Sequence, residues 1–184
     1  MRKANWSAVE EATDFELLPV GGYVCQILRV EDNEEKEYLN IEFDITDGKY
    51  RDYFTEQSAH LNFWTGKFIK SYKVSAEKFF KSFLTAIEKS NKGFVADKFD
   101  CNPATLEGKK IGLIIGHEKY WTSEGKERTR INVDQVRSIE AISKGGFKLP
   151  ELKINDYNKP KGSLSVMDLD QDFTLMADND DIPF

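Results

Sequence analysis

The stretch that decides the fold is Tyr38-Leu39-Asn40-Ile41-Glu42-Phe43-Asp44-Ile45, followed directly by Thr46-Asp47-Gly48. Apolar residues occupy every second position, a period of two that is typical of a strand with one buried face. This alternation places Glu42 and Asp44 on the outward face. Asp47-Gly48 is a strong signal for a tight turn between antiparallel strands. The stretch therefore predicts a strand that turns back into its neighbour.

Strands are also predicted on both sides of this stretch. Gly21-Gly22 opens a run from Tyr23 to Val30, which a charged turn over Asp32–Glu37 joins to the alternating strand. A third strand is expected over Lys49–Glu56, which completes a three-stranded meander. Residues 57–74 show no periodicity and are rich in aromatic and basic residues.

A helix is predicted next. Ser75 is a suitable N-cap and Gly93 a suitable stop, and the apolar residues between them recur at helical spacing. These expected core residues are Phe79, Phe80, Phe83, Leu84 and Ile87.

Two further strands follow the helix, over Lys109–Tyr120 and Glu127–Val133, with Ser123-Glu124-Gly125 as the turn between them. Residues 136–142 either extend the last strand or close the barrel. Three strands, a helix and two strands form the order of a mainly β fold, the five-stranded OB-type Greek-key barrel with a helix between strands 3 and 4. An open α+β sandwich has a compatible order and stays open as an alternative.

Charged residues are distributed unevenly along the chain. The net charge is −6, yet residues 162–184 contain six aspartates and no lysine or arginine, so residues 1–161 are formally neutral. From Lys144 the sequence lacks periodicity and is broken by glycine and proline, as in linkers. We therefore expect an OB-type domain over residues 1–143, with residues 1–18 as a lead, and a flexible linker with an acidic, disordered tail over residues 144–184.

Several classes of function are disfavoured by the composition. The chain lacks an apolar run of about 18 residues and a signal-like N-terminus, so we expect it in the cytoplasm, that of a bacterial host. Cys25 and Cys101 are expected to be buried reduced thiols, and His60 and His117 lack neighbours at metal-ligand spacing. No phosphate-binding loop or nucleophile constellation is present. We expect no enzyme activity, no metal and no cofactor.

The last residues resemble the C-terminal motif of bacterial single-stranded-DNA-binding proteins, which ends in acidic residues and Ile-Pro-Phe. An aromatic C-terminal residue offers a ring for a pocket and a carboxylate for a basic rim. The resemblance implies that the tail docks replication or recombination proteins. The residues expected to do so are Asp178, Asp180, Asp181, Ile182, Pro183 and Phe184.

A second resemblance covers residues 1–56. Trp6, Phe15, the run Leu18–Tyr23 and the run Leu39–Gly48 are similar to a family of phage-encoded replication-module proteins, with a looser echo over Leu106–Gly112. The resemblance implies an OB fold, single-stranded-DNA binding and a phage or prophage origin.

A surface for single-stranded DNA combines cations for phosphates with aromatic rings for bases. Three segments of the chain interleave such residues. The first candidate set is Phe63, Trp64, Lys67, Phe68, Lys70, Tyr72 and Lys73; the second is Lys119, Tyr120, Trp121, Lys126, Arg128 and Arg130; the third is Lys49, Tyr50, Arg51 and Tyr53. Arg128 and Arg130 share one strand face and are expected to point to solvent. The aromatic residues of the first set are equally suited to be core lids under a long loop.

Two functions are compatible with these features. The first is sequence-tolerant binding of single-stranded DNA in phage replication or recombination, with the tail recruiting partner proteins. The alternative is a replisome adaptor that binds proteins through the tail without touching DNA. The neutral charge of residues 1–161 keeps the adaptor open, because such a surface needs cooperativity or a homo-oligomer to match a basic DNA binder.

Overall fold

The computed structural model describes residues 16–160. Its strands are β1 (Gly21–Asn33), β2 (Tyr38–Ile45), β3 (Lys67–Ser71), β4 (Lys110–Trp121), β5 (Glu127–Arg137) and β6 (Lys153–Asn155). Its α-helices are α1 (Tyr53–Leu61), α2 (Glu77–Ser90) and α3 (Ile139–Lys144). Single 3-10 turns lie at Glu34–Lys36, Val74–Ala76, Ala96–Lys98 and Pro103–Leu106.

Five strands form one sheet in the order β3-β2-β1-β4-β5, and β6 adds to β4. The pairs β1–β2, β1–β4 and β2–β3 are antiparallel, whereas β6 runs parallel to β4. The register shifts between Ile27 and Arg29, so Leu28 forms a bulge that increases the local twist of β1. These features confirm the prediction of a mainly β fold.

The core lies on the face of the sheet that carries the alternating apolar residues. Ile41 and Phe43 of β2 are buried there together with Ile27 of β1 and Leu113 of β4. The Phe43 ring makes edge-to-face contacts with Phe54 of α1 at 5.0 Å and Phe68 of β3 at 5.6 Å between ring centroids. The period-two pattern of β2 therefore identifies the buried face of the sheet.

The prediction of a third strand over Lys49–Glu56 is wrong. Residues 49–52 form a turn and α1 follows, whereas β3 lies at residues 67–71, inside the stretch expected to be irregular. The cause is a tertiary contact. The carboxylate of Asp44 accepts hydrogen bonds from the backbone N–H groups of Phe54 and Thr55 and from the Thr55 hydroxyl, at 2.6 to 3.0 Å.

Asp44 thereby stabilises the first turn of α1 from a neighbouring strand. The residue at the N-cap position, Asp52, has φ of 60° and makes no side-chain capping bond. Asp44 is buried, so the expectation that it faces outward is also wrong. Its burial is tolerated because an anionic acceptor suits the unpaired N–H groups at a helix start.

Helix α2 follows β3 and precedes β4, as predicted. Phe83, Leu84 and Ile87 are buried and Phe80 is half-buried, but Phe79 is 72% exposed, contrary to expectation. Ser75 lies in the preceding 3-10 turn rather than at the cap, and the helix ends at Ser90, before Gly93. At this end the Asn91 side chain pairs with both backbone groups of Lys110, which ties α2 to the start of β4.

Both faces of β4 are covered between residues 111 and 116. A Cβ on Gly112 would lie 2.4 Å from Ile142 of α3, so only glycine allows α3 to pack this closely. Phe147 packs beside Gly22 and Pro150 beside Gly116. Part of the expected linker thus contacts the sheet, while the proposed division of the chain at residue 143 stays a prediction.

The described chain divides into two compact units. The sheet unit contains residues 16–117 and 131–152, and the hairpin unit contains residues 118–130 and 153–160. In the hairpin unit, the ends of β4 and β5 surround the turn at residues 122–126, and β6 pairs with β4 from Glu118 to Tyr120. No helix within residues 16–160 is long and apolar enough to cross a membrane.

Candidate nucleic-acid interface

The outward face of β2 and β3 carries charge in matched pairs. Lys67 lies opposite Glu42 in the register, and their side chains form an ion pair at 2.9 Å. On β1, Arg29 pairs with Glu31 at 2.6 Å. Ile69 of β3 lies opposite Asn40 of β2 and is 59% exposed. Because each cation has a carboxylate within reach, a DNA phosphate would compete with a protein acid on this face.

At the end of β3, the lysine side chains lack, among the described residues, the ion pairs that compensate the other cations of this face. Lys70 and Lys73 make no ion pair within residues 16–160. Partial burial lowers the pKa of Lys70, which means that its ammonium lacks some of its water. Tyr72 donates a hydrogen bond to Asp32 at 2.8 Å, and this bond raises the pKa of the phenol to about 12. The end of β3 therefore offers two cations beside an anchored ring.

The loop between α1 and β3 presents one aromatic ring to solvent. Phe63 is 61% exposed, whereas Trp64 is half-buried and donates its indole N–H to the Gly66 carbonyl at 3.0 Å. Gly66 is confined in turn, because a Cβ there would lie 2.5 Å from the Phe43 carbonyl oxygen. Phe63 is thus suited to stacking, while Trp64 belongs to the packing of the loop.

Two aromatic residues of the predicted sites lie in the core. Tyr53 is 5% exposed and Phe68 is 8% exposed. The Tyr53 hydroxyl donates to the Glu16 carbonyl at 2.9 Å and accepts the Leu18 N–H at 3.1 Å. No base can stack on these rings without opening the core, so we do not retain them among the stacking residues.

The turn before α1 brings the other residues of the third set together. The Lys49 ammonium lies 4.8 Å from the centroid of the Tyr50 ring and donates a hydrogen bond to its hydroxyl at 3.3 Å. Arg51 is exposed and contacts Asp52 at 3.4 Å. Tyr50 is half-buried and contacts the Tyr23 ring edge-to-face at 6.1 Å. The sequence did not single out Tyr23, because the apolar run around it indicated a strand and nothing more.

The second set lies in the hairpin unit, on two strand faces. Alternation and ion pairs place Tyr120, Arg128 and Arg130 on one face and Lys119 and Trp121 on the other. The Arg130 guanidinium lies 5.1 Å from the centroid of the Tyr120 ring and donates to Glu118 at 2.9 Å. This bond lowers the pKa of the Glu118 carboxyl.

The remaining cations of the hairpin unit differ in their partners. Lys119 pairs with Glu127 at 2.8 Å and Lys126 with Glu124 at 2.9 Å. Arg128 is exposed and makes no ion pair within the part of the chain that the structure describes. The Lys159 ammonium lies 5.7 Å from the centroid of the Trp121 ring. Arg128 is therefore the cation of this unit best placed to bind a phosphate.

The two units differ in charge. The described residues of the hairpin unit comprise six basic and four acidic side chains, whereas those of the sheet unit comprise 17 basic and 19 acidic. The β1–β2 connection is the most acidic part of the sheet unit. Together with the end of β1, it holds Glu31, Asp32, Glu34, Glu35 and Glu37 against Lys36 alone. This connection repels phosphate, and the end of β3 adjoins it through the hydrogen bond from Tyr72 to Asp32, so the hairpin unit is the better candidate.

The thiols and the docking tail complete the predicted sites. Cys25 is buried, which raises the pKa of its thiol, but Cys101 is exposed, contrary to expectation. Within residues 16–160 no group of three His, Cys, Asp or Glu side chains is arranged to hold a metal ion. The predicted docking residues Asp178, Asp180, Asp181, Ile182, Pro183 and Phe184 lie outside the described residues, as does the expected disordered tail.

The chain was compared with protein-family models and with known proteins. No protein-family model matches the chain, and no curated protein matches it significantly.

Proposed function

We propose that this protein binds single-stranded DNA without sequence preference, on an OB-type barrel, during phage DNA replication or recombination. Its acidic tail recruits the replication and recombination proteins that act on the strand. The hairpin unit supplies phosphate and stacking contacts, and the exposed Phe63 supplies a stacking contact of its own.

The strand order supports the OB-type fold. In that fold a five-stranded Greek-key barrel carries a helix between strands 3 and 4 and binds oligonucleotides through the face of strands 2 and 3 and two loops. Here α2 lies between β3 and β4, and β1 pairs with both β2 and β4. Of these regions, the loop between β4 and β5 carries the basic excess in this chain, whereas the β1–β2 connection is acidic and the face of β2 and β3 is charge-paired.

The observation that carries the function is the composition of the hairpin unit. It has an excess of basic residues and three aromatic residues: Tyr120 and Trp121 on opposite strand faces, and the exposed Tyr157. Arg128 lies exposed on the same face as Tyr120. Base stacking and phosphate contacts are the two interactions that sequence-tolerant binders combine.

The test is fluorescence anisotropy with the full chain, at low salt, using labelled oligo(dT) and a duplex of equal length. We expect oligo(dT) to bind more tightly than the duplex, and the affinity to fall as salt rises through counterion release. Folded protein that binds neither probe at low salt would contradict the proposal.

A second candidate function is the adaptor that binds only proteins. The neutral balance of residues 1–161 and the acidic β1–β2 connection favour it, because neither attracts a polyanion. The two functions differ in one measurement. The adaptor captures replication proteins through its tail and gives no anisotropy change with oligo(dT), whereas the DNA binder gives both signals.

A further inference from the structure

A cavity opens beside the turn that precedes α1. Tyr23, Asp47, Lys49 and Tyr50 line it together with Gly22 and Ile142, and we call it the tyrosine cavity. Its volume is ≈ 320 Å³. This is at the small end of ligand sites, which span about 300–1,000 Å³, so its contents would be limited to a group of about nucleotide size.

The aromatic rings of the tyrosine cavity are held by the fold. Tyr50 contacts Tyr23 at 6.1 Å and Tyr53 at 6.4 Å, both edge-to-face. The Tyr23 hydroxyl donates to the Pro19 carbonyl at 2.7 Å, and burial is the main reason that the pKa of this phenol rises to about 12. The rings therefore need little ordering when a ligand binds, which favours affinity.

Two charged groups stand at the rim of the cavity. Lys49 is exposed, and its ammonium lies over the Tyr50 ring; it makes no ion pair within residues 16–160, although the nearby Glu16 carboxylate also favours its charged form. One carboxylate oxygen of Asp47 accepts the Gly48 N–H at 2.9 Å, which fixes the orientation of the side chain. The second oxygen of Asp47 has no hydrogen bond among the described residues and can accept one from a ligand.

We infer that the tyrosine cavity holds one nucleotide of the bound strand, with its base stacked on Tyr50, its phosphate at Lys49 and, for guanine, its Watson–Crick N–H groups on Asp47. A planar base takes the place of the Lys49 ammonium on the ring face, and the freed ammonium moves to the adjacent phosphate. Stacking accepts any base, but only a base that presents N–H donors at this edge gains from a carboxylate.

Guanine suits this carboxylate best, since its N1–H and N2–H groups lie side by side, whereas thymine offers a single N–H between two carbonyl oxygens. The inference rests on the proposed function, because it assigns a base of the same strand to this site. It goes further in adding a preference for guanine at one position of a strand that is otherwise bound without regard to sequence.

The test compares the full chain with two variant pairs on two probes: oligo(dT) of about 12 nucleotides and the same strand with one central guanine. Tyr50→Leu removes the stacking ring and Tyr50→Phe keeps it. Asp47→Asn removes the charge but keeps an acceptor for the Gly48 N–H, and Asp52→Asn is its control outside the cavity. Thermal melting checks that each variant is folded.

We expect the unmodified chain to bind the guanine-containing strand at least about five-fold more tightly than oligo(dT), the scale of one good hydrogen-bonded base contact. Asp47→Asn should abolish that preference without weakening the binding of oligo(dT), and Asp52→Asn should leave the preference intact. Tyr50→Leu should weaken both probes by about five-fold or more, and Tyr50→Phe should not.

The outcomes separate the inference from the proposed function. If oligo(dT) binds but the guanine preference is absent, or survives Asp47→Asn, the cavity assignment is wrong and the DNA-binding proposal stands. If neither strand binds to folded protein, the proposed function fails and the inference fails with it. Should Tyr50→Leu unfold the protein, the Asp47→Asn comparison alone decides the matter.

Discussion

Asp44 connects a strand to a helix that local sequence does not specify. Its carboxylate accepts N–H groups from Ile45, Phe54 and Thr55, and the side chain is almost fully buried. A buried carboxylate is costly unless it is fully hydrogen-bonded, as this one is. Removing it leaves buried donors without partners, and this penalty exceeds the net gain of an ordinary hydrogen bond.

We therefore predict that Asp44→Ala lowers the free energy of unfolding by about 2–4 kcal/mol, measured by urea denaturation. Asp44→Asn keeps one acceptor oxygen and should cost roughly half as much. Glu42→Ala removes only a partly exposed ion pair with Lys67 and should cost less than about 1 kcal/mol. Equal losses for Asp44→Ala and Glu42→Ala would show that the carboxylate does not stabilise α1.

Phe63 and Phe79 form a matched pair of exposed rings. Phe63 lies in the loop assigned to DNA, whereas Phe79 lies on α2, outside the predicted sites, and both are more than half exposed. We predict that Phe63→Ala weakens oligo(dT) binding by about 1–3 kcal/mol, the contribution of one stacked base, and that Phe79→Ala leaves binding unchanged.

Anisotropy titrations measure both affinities, and melting temperatures serve as the control. Trp64→Ala should behave differently from Phe63→Ala, since Trp64 is half-buried and hydrogen-bonded to Gly66. It should lower the melting temperature. Phe79→Ala weakening DNA binding as strongly as Phe63→Ala would move the binding surface onto α2.

At the scale of elements, periodicity located four of the six strands and the long helix. β1, β2, β4 and β5 carry regular apolar patterns, and α2 has four buried apolar residues at helical spacing. The prediction from the sequence was wrong between residues 49 and 71, where α1 lies at the end of the expected strand and β3 lies in the stretch expected to be irregular. The deciding contact there is long-range, from Asp44 to the start of α1, and no local pattern records it.

The candidate site was predictable to a lesser degree. Interleaved lysine and aromatic residues defined the candidate segments, and Arg128 and Arg130 are exposed as expected. Composition cannot distinguish an exposed ring from a buried one, so Phe63 and Phe68 were indistinguishable until packing separated them. The ion pairs could not be predicted from the sequence either, because the partners of Lys67 and Arg130 lie on adjacent strands.

The β4–β5 hairpin permits a sharper prediction about charge. Arg128 lacks an ion pair within the described residues, whereas Lys148 is exposed and paired with Glu151. We predict that Arg128→Ala weakens binding to all single strands alike and reduces the slope of log affinity against log salt by about 1. Lys148→Ala should leave both unchanged.

Arg128→Lys should restore most of the affinity if the contact is a phosphate, because either cation releases counterions. A loss that lysine does not restore would indicate that the planar guanidinium itself stacks on or hydrogen-bonds to a base. Unchanged affinity and salt slope in Arg128→Ala would remove the hairpin arginine from the DNA surface.

In the whole molecule, a single segment determines the sign of the net charge. Residues 16–160 carry 23 basic and 23 acidic side chains, and the net charge of −6 equals the six aspartates of residues 162–184. A neutral protein body gains little from long-range attraction to DNA. Binding should therefore depend on stacking and on a few uncompensated cations, and should show a shallower salt dependence than that of a strongly basic binder.

The last prediction concerns the competition between this tail and DNA. A tethered segment with six aspartates reaches nearby cations at high effective concentration, so it competes with phosphates for Lys73 or Arg128. Deleting residues 178–184 should therefore raise the affinity for oligo(dT) at low salt, and the gain should vanish as salt screens both interactions. The same deletion should abolish capture of replication proteins.

Phe184→Ala separates the two effects, because it removes the ring that docks a partner and keeps every aspartate. Partner capture should fall in Phe184→Ala while DNA affinity stays at the level of the full chain. Capture that survives both changes would contradict the docking role, and a truncated chain that no longer binds DNA would assign the tail to the binding surface itself.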